Sequence, residues 1–316
     1  MKKFLYVCFF CFAFFVSFYL TFPLDALSPY IEKQMEAALS AQVSSGQLVL
    51  PPKVQIGELS FWRLSGVAAQ DLRIQVGSET VTPGPKLQLE QFKFRFGILS
   101  TLLGKPKIEF DTRVYSGRAR GSITMTSQGS LSDLGLDISN IDLQKLRGPL
   151  SSEMDLKLAG ILNLDADLSL GKNPAKEGVG YLELNLKNLA VGPGVFEIPG
   201  GFGGGLTLPL IKLGQFSGKA SLKNGKAQIQ NLQLQGGDIE AQVNASVELS
   251  DNILLSPLKG SGWFRLKPEF QKANPNLAVI LEMSPDIKAA EEADGRIFFT
   301  LFGSLIAPTP KWGKAG

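Results

Sequence analysis

From Val49 onward apolar residues recur at every second position, the pattern of strands with one dry and one wet face. Leu87 and Leu89, then Phe92, Phe94 and Phe96, alternate with Gln88, Lys93 and Arg95, and the phase slips once between Leu89 and Phe92 as a β-bulge would make it. Ile108, Phe110, Thr112 and Val114 alternate with Glu109, Asp111 and Arg113. Met154, Leu156 and Leu158 precede Gly160, and Leu162, Leu164, Ala166, Leu168 and Leu170 follow it. Leu182/Leu184/Leu186, Ala220/Leu222, Ala227/Ile229, Leu232/Leu234 and the run from Ile239 to Leu249 continue the pattern. Asn224-Gly225 reads as a two-residue hairpin turn, and Gly236-Gly237 separates the next pair. Strands that succeed one another every 8–12 residues or so, without helical patterns between them, describe a meandering antiparallel sheet.

Helical spacing surrounds this region. Leu27, Ile31, Met35 and Leu39 lie four apart behind Ser28-Pro29, which has the form of an N-cap and a first-turn proline, so a helix is expected to about Gln42. Glu32, Lys33 and Glu36 deny it the basic face of a helix drawn to anionic lipid, so its apolar stripe is expected to cap the sheet. Asn274-Pro275 and Ser284-Pro285 each read as a further helix start, closing before Asp294-Gly295. The last strand is expected at 296–303, followed from Ala307 by a tail that frays.

Residues 4–22 form an uncharged run of nineteen that holds 8 of the 21 Phe and both cysteines, Cys8 and Cys11. As a helix it would be about 28 Å long, which matches the hydrocarbon thickness of a bilayer. The run lacks the small-residue cleavage site of a signal peptide, and no small residues precede a cysteine as a lipoprotein would require. Lys2 and Lys3 place its short N-terminal side in the cytoplasm by the positive-inside rule. The expected organisation is therefore a cytoplasmic stub (1–3), a single transmembrane helix (4–22), a β domain across the bacterial inner membrane in the periplasm (23–306) and a flexible tail (307–316). The best internal break, a joint within this domain, is expected at the glycine-rich stretch 199–205. The expected fold is mainly β: the transmembrane helix, the short amphipathic helix, then a long curled antiparallel β-sheet, an open trough or a flattened barrel, with minor C-terminal helices.

Composition narrows the chemistry. With no histidine, imidazole catalysis and imidazole-ligated zinc or haem are absent, and a net charge of +3 is spread along the chain instead of forming a phosphate-binding stripe, so no nucleic acid partner is expected. Trp62, Trp263 and Trp312 stand apart from basic clusters. The glycine-rich stretch runs into Leu206-Thr207-Leu208-Pro209-Leu210 instead of a helix, and 214–220 has one residue too few between its glycines for a P-loop. Asp165 and Asp167 alternate with Leu164, Ala166 and Leu168, a wet strand face, and Asp133, Asp137 and Asp142 form no calcium loop. Asn244-Ala245-Ser246 is a glycosylation sequon inside a strand. No catalytic residue, metal site or cofactor is expected, and an enzyme is not the expected function.

The order of these features resembles the general secretion pathway protein N family, the N component of type II secretion systems. The resemblance rests on Phe22-Pro23-Leu24-Asp25-Ala26-Leu27 with Tyr30-Ile31-Glu32, and on the run from Leu208 to Gly218. Leu234-Gln235-Gly236-Gly237-Asp238-Ile239 and the closing Gly303-Ser304-Leu305-Ile306-Ala307-Pro308 complete it. It implies a non-enzymatic accessory component of the export machinery, docking on other type II secretion components through exposed strand edges. The same architecture looks like the AsmA-like proteins, which implies a hydrophobic groove for phospholipid acyl chains. The 294 residues beyond the span are few for an envelope-spanning conduit. Candidate groove residues are Leu182, Leu184, Leu186, Ile239, Val243 and Val247.

Overall fold

The computed structural model describes residues 6, 9, 10, 13, 14, 17, 21, 23–43, 53–63, 65–75, 86–127, 131–145, 157–171, 173–196, 206–250, 252–275 and 285–313. Helix α1 (Ser28–Val43) leads into β1 (Lys53–Gln55), β2 (Glu58–Trp62), β3 (Gly66–Gln75) and β4 (Lys86–Phe96). The one-turn helix α2 (Ile98–Leu102) joins β4 to β5 (Lys107–Val114), followed by β6 (Gly117–Met125), β7 (Leu131–Asp142) and β8 (Leu158–Ser169). After α3 (Pro174–Glu177) come β9 (Val179–Val191), the short β10 (Gly194–Phe196) and β11 (Leu206–Leu208), and β12 (Ile211–Lys223). The chain continues through β13 (Lys226–Gly236), β14 (Ile239–Glu248), β15 (Leu258–Leu266), α4 (Pro268–Ala273), α5 (Pro285–Ala289), β16 (Ile297–Gly303) and β17 (Pro308–Trp312).

Among the described residues all the main strands join one 15-stranded antiparallel sheet in chain order, from β1 and β2, which share the outer side of β3, to β17, while β10 and β11 pair apart from it. The first and last strands do not pair with each other, so among the described residues the sheet is open and no barrel closes. The period-2 pattern thus gives the mainly β, antiparallel fold expected of it, and the Asn224-Gly225 hairpin falls where expected, with Lys223 opposite Lys226.

Bulges bend the strands at intervals. Register slips between Leu89 and Gln91, between Ile138 and Ile141, and between Ile229 and Leu232. At the last two, Asn140 and Asn231 adopt left-handed φ values of 55° and 51°, a conformation that Asn tolerates better than other side-chain-bearing residues. Each exposes a backbone N–H, and each donates it to the side-chain oxygen of an asparagine on the next strand, Asn163 or Asn244, at 3.0 Å. The sequon asparagine is therefore a clamp on a bulge.

Several expectations are corrected. Ser28 is not an N-cap: a 3-10 turn (Leu24–Leu27) runs straight into α1, Ser28 is already helical, and its hydroxyl is buried without a partner. A helix that was not expected, α4, comes just before the expected start at Asn274-Pro275: Pro268 opens it and Asn274 closes it, donating its side-chain amide to Phe270 O. Pro275 is helical, 276–284 lie outside the described residues, and α5 does start at Pro285. The tail expected to fray from Ala307 is a strand, because β17 pairs with β16 from Pro308 to Trp312. The joint at 199–205, both cysteines and most of 4–22 lie outside the described residues. Of that span Tyr6, Phe9, Phe10, Ala13, Phe14, Ser17 and Thr21 are described, all helical, and among the described residues no helix is long and apolar enough to cross a membrane.

Candidate functional site

Side chains on alternate positions of paired strands share a face, so register decides whether the apolar stripes join. They do. Phe61 is opposite Val67, then follow Phe94, Phe110, Gly121, Leu136, Ala166 and Leu182. Ala220, Ile229, Ala245, Gly260, Leu301 and Pro310 complete the row. No polar side chain interrupts it from β2 to β17, and at about 4.8 Å per strand it is roughly 60 Å long. A neighbouring row runs from Leu162 through Leu186, Phe216, Leu234 and Ala241 to Phe264.

All six candidate groove residues fall on this face. Leu182, Leu184 and Leu186 occupy β9, with Leu182 and Leu186 facing Ala220 and Phe216 of β12. Val243 faces Leu232 and Gly262, and Ile239 faces Leu266 at the end of β14. Five of the six are half-buried; Val247, at 2% exposure between Ala227 and Leu258, is core. The face is uneven because glycine makes room for rings. A Cβ on Gly121 would meet the Phe110 ring at 2.6 Å, and one on Gly262 would meet the Phe299 ring and Val243 at 3.0 Å. Phe264, Phe299 and Trp312 form an aromatic cluster at its far end, with both phenylalanines edge-on to the tryptophan.

The opposite face carries charge. Lys93, Asp111, Arg120, Asp137, Asp165, Glu183 and Lys219 stand in one cross-strand row. Arg120 pairs with Asp137 at 2.6 Å and Lys219 with Glu183 at 2.9 Å, while Arg118 grips Asp111 diagonally. The Arg118 hydrogen bond holds the Asp111 carboxyl below its ordinary range. Glu109 is pushed up by burial, but its contacts with Arg95 and Lys107 outweigh this and leave it lowered. Hydrogen bonding to Asp165 raises the phenol of Tyr181. These are paired carboxylates on a solvated face, and Asp133 is likewise occupied by the hydroxyls of Ser132 and Ser169. Among the described residues no three acidic or cysteine side chains gather to hold a metal. The tryptophans are less isolated than the sequence suggested: Arg63 lies 5.1 Å from the Trp62 ring centre and Arg296 5.5 Å from that of Trp263.

Sequence reasoning missed what happens at the sheet margins. On α1 and the turn before it, Asp25, Glu32 and Glu36 accept the outward N–H groups of Leu59, Ile56 and Val54 at 2.7, 2.7 and 2.9 Å. Leu24 and Ile31 pack on Leu59 and Ala69. At the other margin Gly313 N–H donates inward to Phe298 O, so by alternation positions 308, 310 and 312 of β17 face outward. Two of those three are prolines, which have no N–H to offer. Compared with protein-family models, curated proteins and solved structures, the chain matches none.

Proposed function

We propose that this is a non-enzymatic, membrane-anchored β module whose apolar face receives acyl chains, held to the bacterial inner membrane by residues 4–22 with the sheet on the periplasmic side. The observation that carries the reading is the unbroken apolar row across an open sheet, half-buried along β9. A face of this kind serves as ordinary core when something covers it, and as a lipid surface when acyl chains do. The test is to purify the full chain in mild detergent and analyse extracted lipid by mass spectrometry. Phospholipid should co-purify, and Leu184→Asp with Leu232→Asp should reduce it while strand content stays. Absence of lipid, or lipid unaffected by these substitutions, overturns the reading.

The secretion resemblance supports a second reading, an accessory role among type II secretion components. Two of the segments that carry it meet in the fold: Lys212 N–H donates to the Asp238 carboxylate at 2.7 Å, and Gly214 pairs with Gly236. Docking in that role would favour a face, since three outward N–H groups of the first margin are occupied and two of the three outward positions of β17 are prolines. Deleting the gene separates the two: loss of type II substrate export favours the secretion role, and intact export with raised outer-membrane permeability favours the lipid role.

A further inference from the structure

The turn between β4 and β5 presents an apolar tip that no described residue covers. Phe96 is 49% exposed, Ile98 55%, Leu99 77%, Leu102 79% and Leu103 81%. The tip is nonetheless well built. Ser100 and Thr101 fold their hydroxyls back onto Gly97 O at 2.8 Å, Leu103 N–H donates to Leu99 O, and Lys105 N–H returns to Ser100 O. Gly97 N–H closes the base on Lys107 O. Polar groups are thus turned inward and four large aliphatic side chains outward, an arrangement suited to a medium that offers no hydrogen bonds. Lys105 stands at the base, where an interfacial cation belongs.

Its position supplies the occupant. Ser65, in the β2–β3 turn, donates its hydroxyl to Phe96 O at 2.7 Å, so that turn and the apolar tip share one end of the sheet. Helix α1 descends away from this end, since Asp25, Glu32 and Glu36 meet Leu59, Ile56 and Val54 in that order. The start of α1 is therefore its end nearest the tip, offset by about 10 Å along β2 and about 10 Å across two strands. The apolar segment 4–22 joins the chain there, and its Tyr6, Phe9, Phe10 and Phe14 are themselves 59–72% exposed.

We propose that residues 98–103 form a second membrane contact, immersed in the periplasmic leaflet of the bilayer that holds 4–22, so that strands β2 to β5 stand against the lipid surface. The inference rests on the anchoring role proposed for 4–22 but not on lipid binding by the apolar face. The test uses the full chain with Cys8→Ser and Cys11→Ser, reconstituted in vesicles of phosphatidylethanolamine and phosphatidylglycerol with bromine-labelled acyl chains. Leu99→Cys or Leu102→Cys carries an environment-sensitive fluorophore, Ser116→Cys at the opposite end of the sheet serves as control, and Phe14→Trp reports on the anchor by its own fluorescence in a chain whose other tryptophans are replaced by Phe. Bromine should quench the probes at 99 and 102 and leave 116 bright, and Leu103→Asp with Leu102→Asp should release the probe at 99. Quenching at 14 without quenching at 99 overturns the second contact alone. A blue-shifted but unquenched probe at 99 overturns it in favour of a protein partner, and an unquenched Trp at 14 overturns the anchor on which it rests.

Discussion

The two margins of the sheet answer one problem by opposite means. An edge strand exposes unpaired N–H groups that can recruit another chain. At the N-terminal margin these donors are kept and satisfied, by three carboxylates spaced along the turn and helix that precede β1. At the C-terminal margin two of the three outward positions of β17 have no donor, because Pro308 and Pro310 occupy them. The first solution ties the margin into the structure: α1 is held only if β1 and β2 are in place, and Leu24 and Ile31 complete the core there. The second makes no bond across the margin and acts by withholding donors from a partner strand.

That difference predicts unequal consequences of damage. Replacing Asp25, Glu32 and Glu36 together by Ala should cost about 3 kcal/mol or more, because hydrogen bonds to charged acceptors contribute roughly 1.5–3 kcal/mol each and the abandoned N–H groups remain. Denaturant titration of the full chain in detergent checks this. The amide variants Asp25→Asn, Glu32→Gln and Glu36→Gln, which keep an acceptor oxygen, should lose much less. Replacing Pro308 and Pro310 by Val should change stability by less than about 1 kcal/mol yet allow concentration-dependent dimers, read by sedimentation. If the proline variant stays monomeric, the edge does not need its protection and the comparison fails on that side.

Two interior changes set the baseline. Asn244→Ala removes the acceptor for Asn231 N–H at a bulge between two paired strands, and should cost about 1 kcal/mol without promoting association. Asp111→Asn should cost about 0.5 kcal/mol near neutral pH, the size of a partly exposed ion pair. Since the folded Asp111 pKa is depressed below 3.8 by Arg118, its contribution is present above the unfolded value and lost as pH falls through the folded one. The variant should therefore show a shallower fall in stability below about pH 4 than the parent. Parallel curves would mean that Asp111 and Arg118 do not couple in solution.

The sequence carries the sheet because alternation is a local property, visible at Phe92/Phe94/Phe96 or Ile239 to Val247 without knowing any partner. It does not carry the row from Phe61 to Pro310, since one slipped register would have turned part of that row to the other face. The six groove candidates share a face for the same reason that they were chosen, equal parity within β9 and within β14, but only the pairing of β12 and β13 unites the two groups. Glu32 and Glu36 read as solvent-facing polar residues because the donors they meet are some 18–24 residues away. Pro308 and Pro310 read as fraying because proline is excluded from central strands; outward edge positions are where it is admitted. The tip at 98–103 interrupts the alternation for too few residues to stand out as an element.

Because each main strand from β3 onward pairs with the main strands before and after it in chain order, the sheet is modular in the way a zipper is. Excising the β13–β14 hairpin would bring β12 and β15 together in antiparallel sense with their apolar positions still in phase, shortening the face by about 10 Å. Lineages could lengthen or trim such a sheet two strands at a time without redesigning either margin.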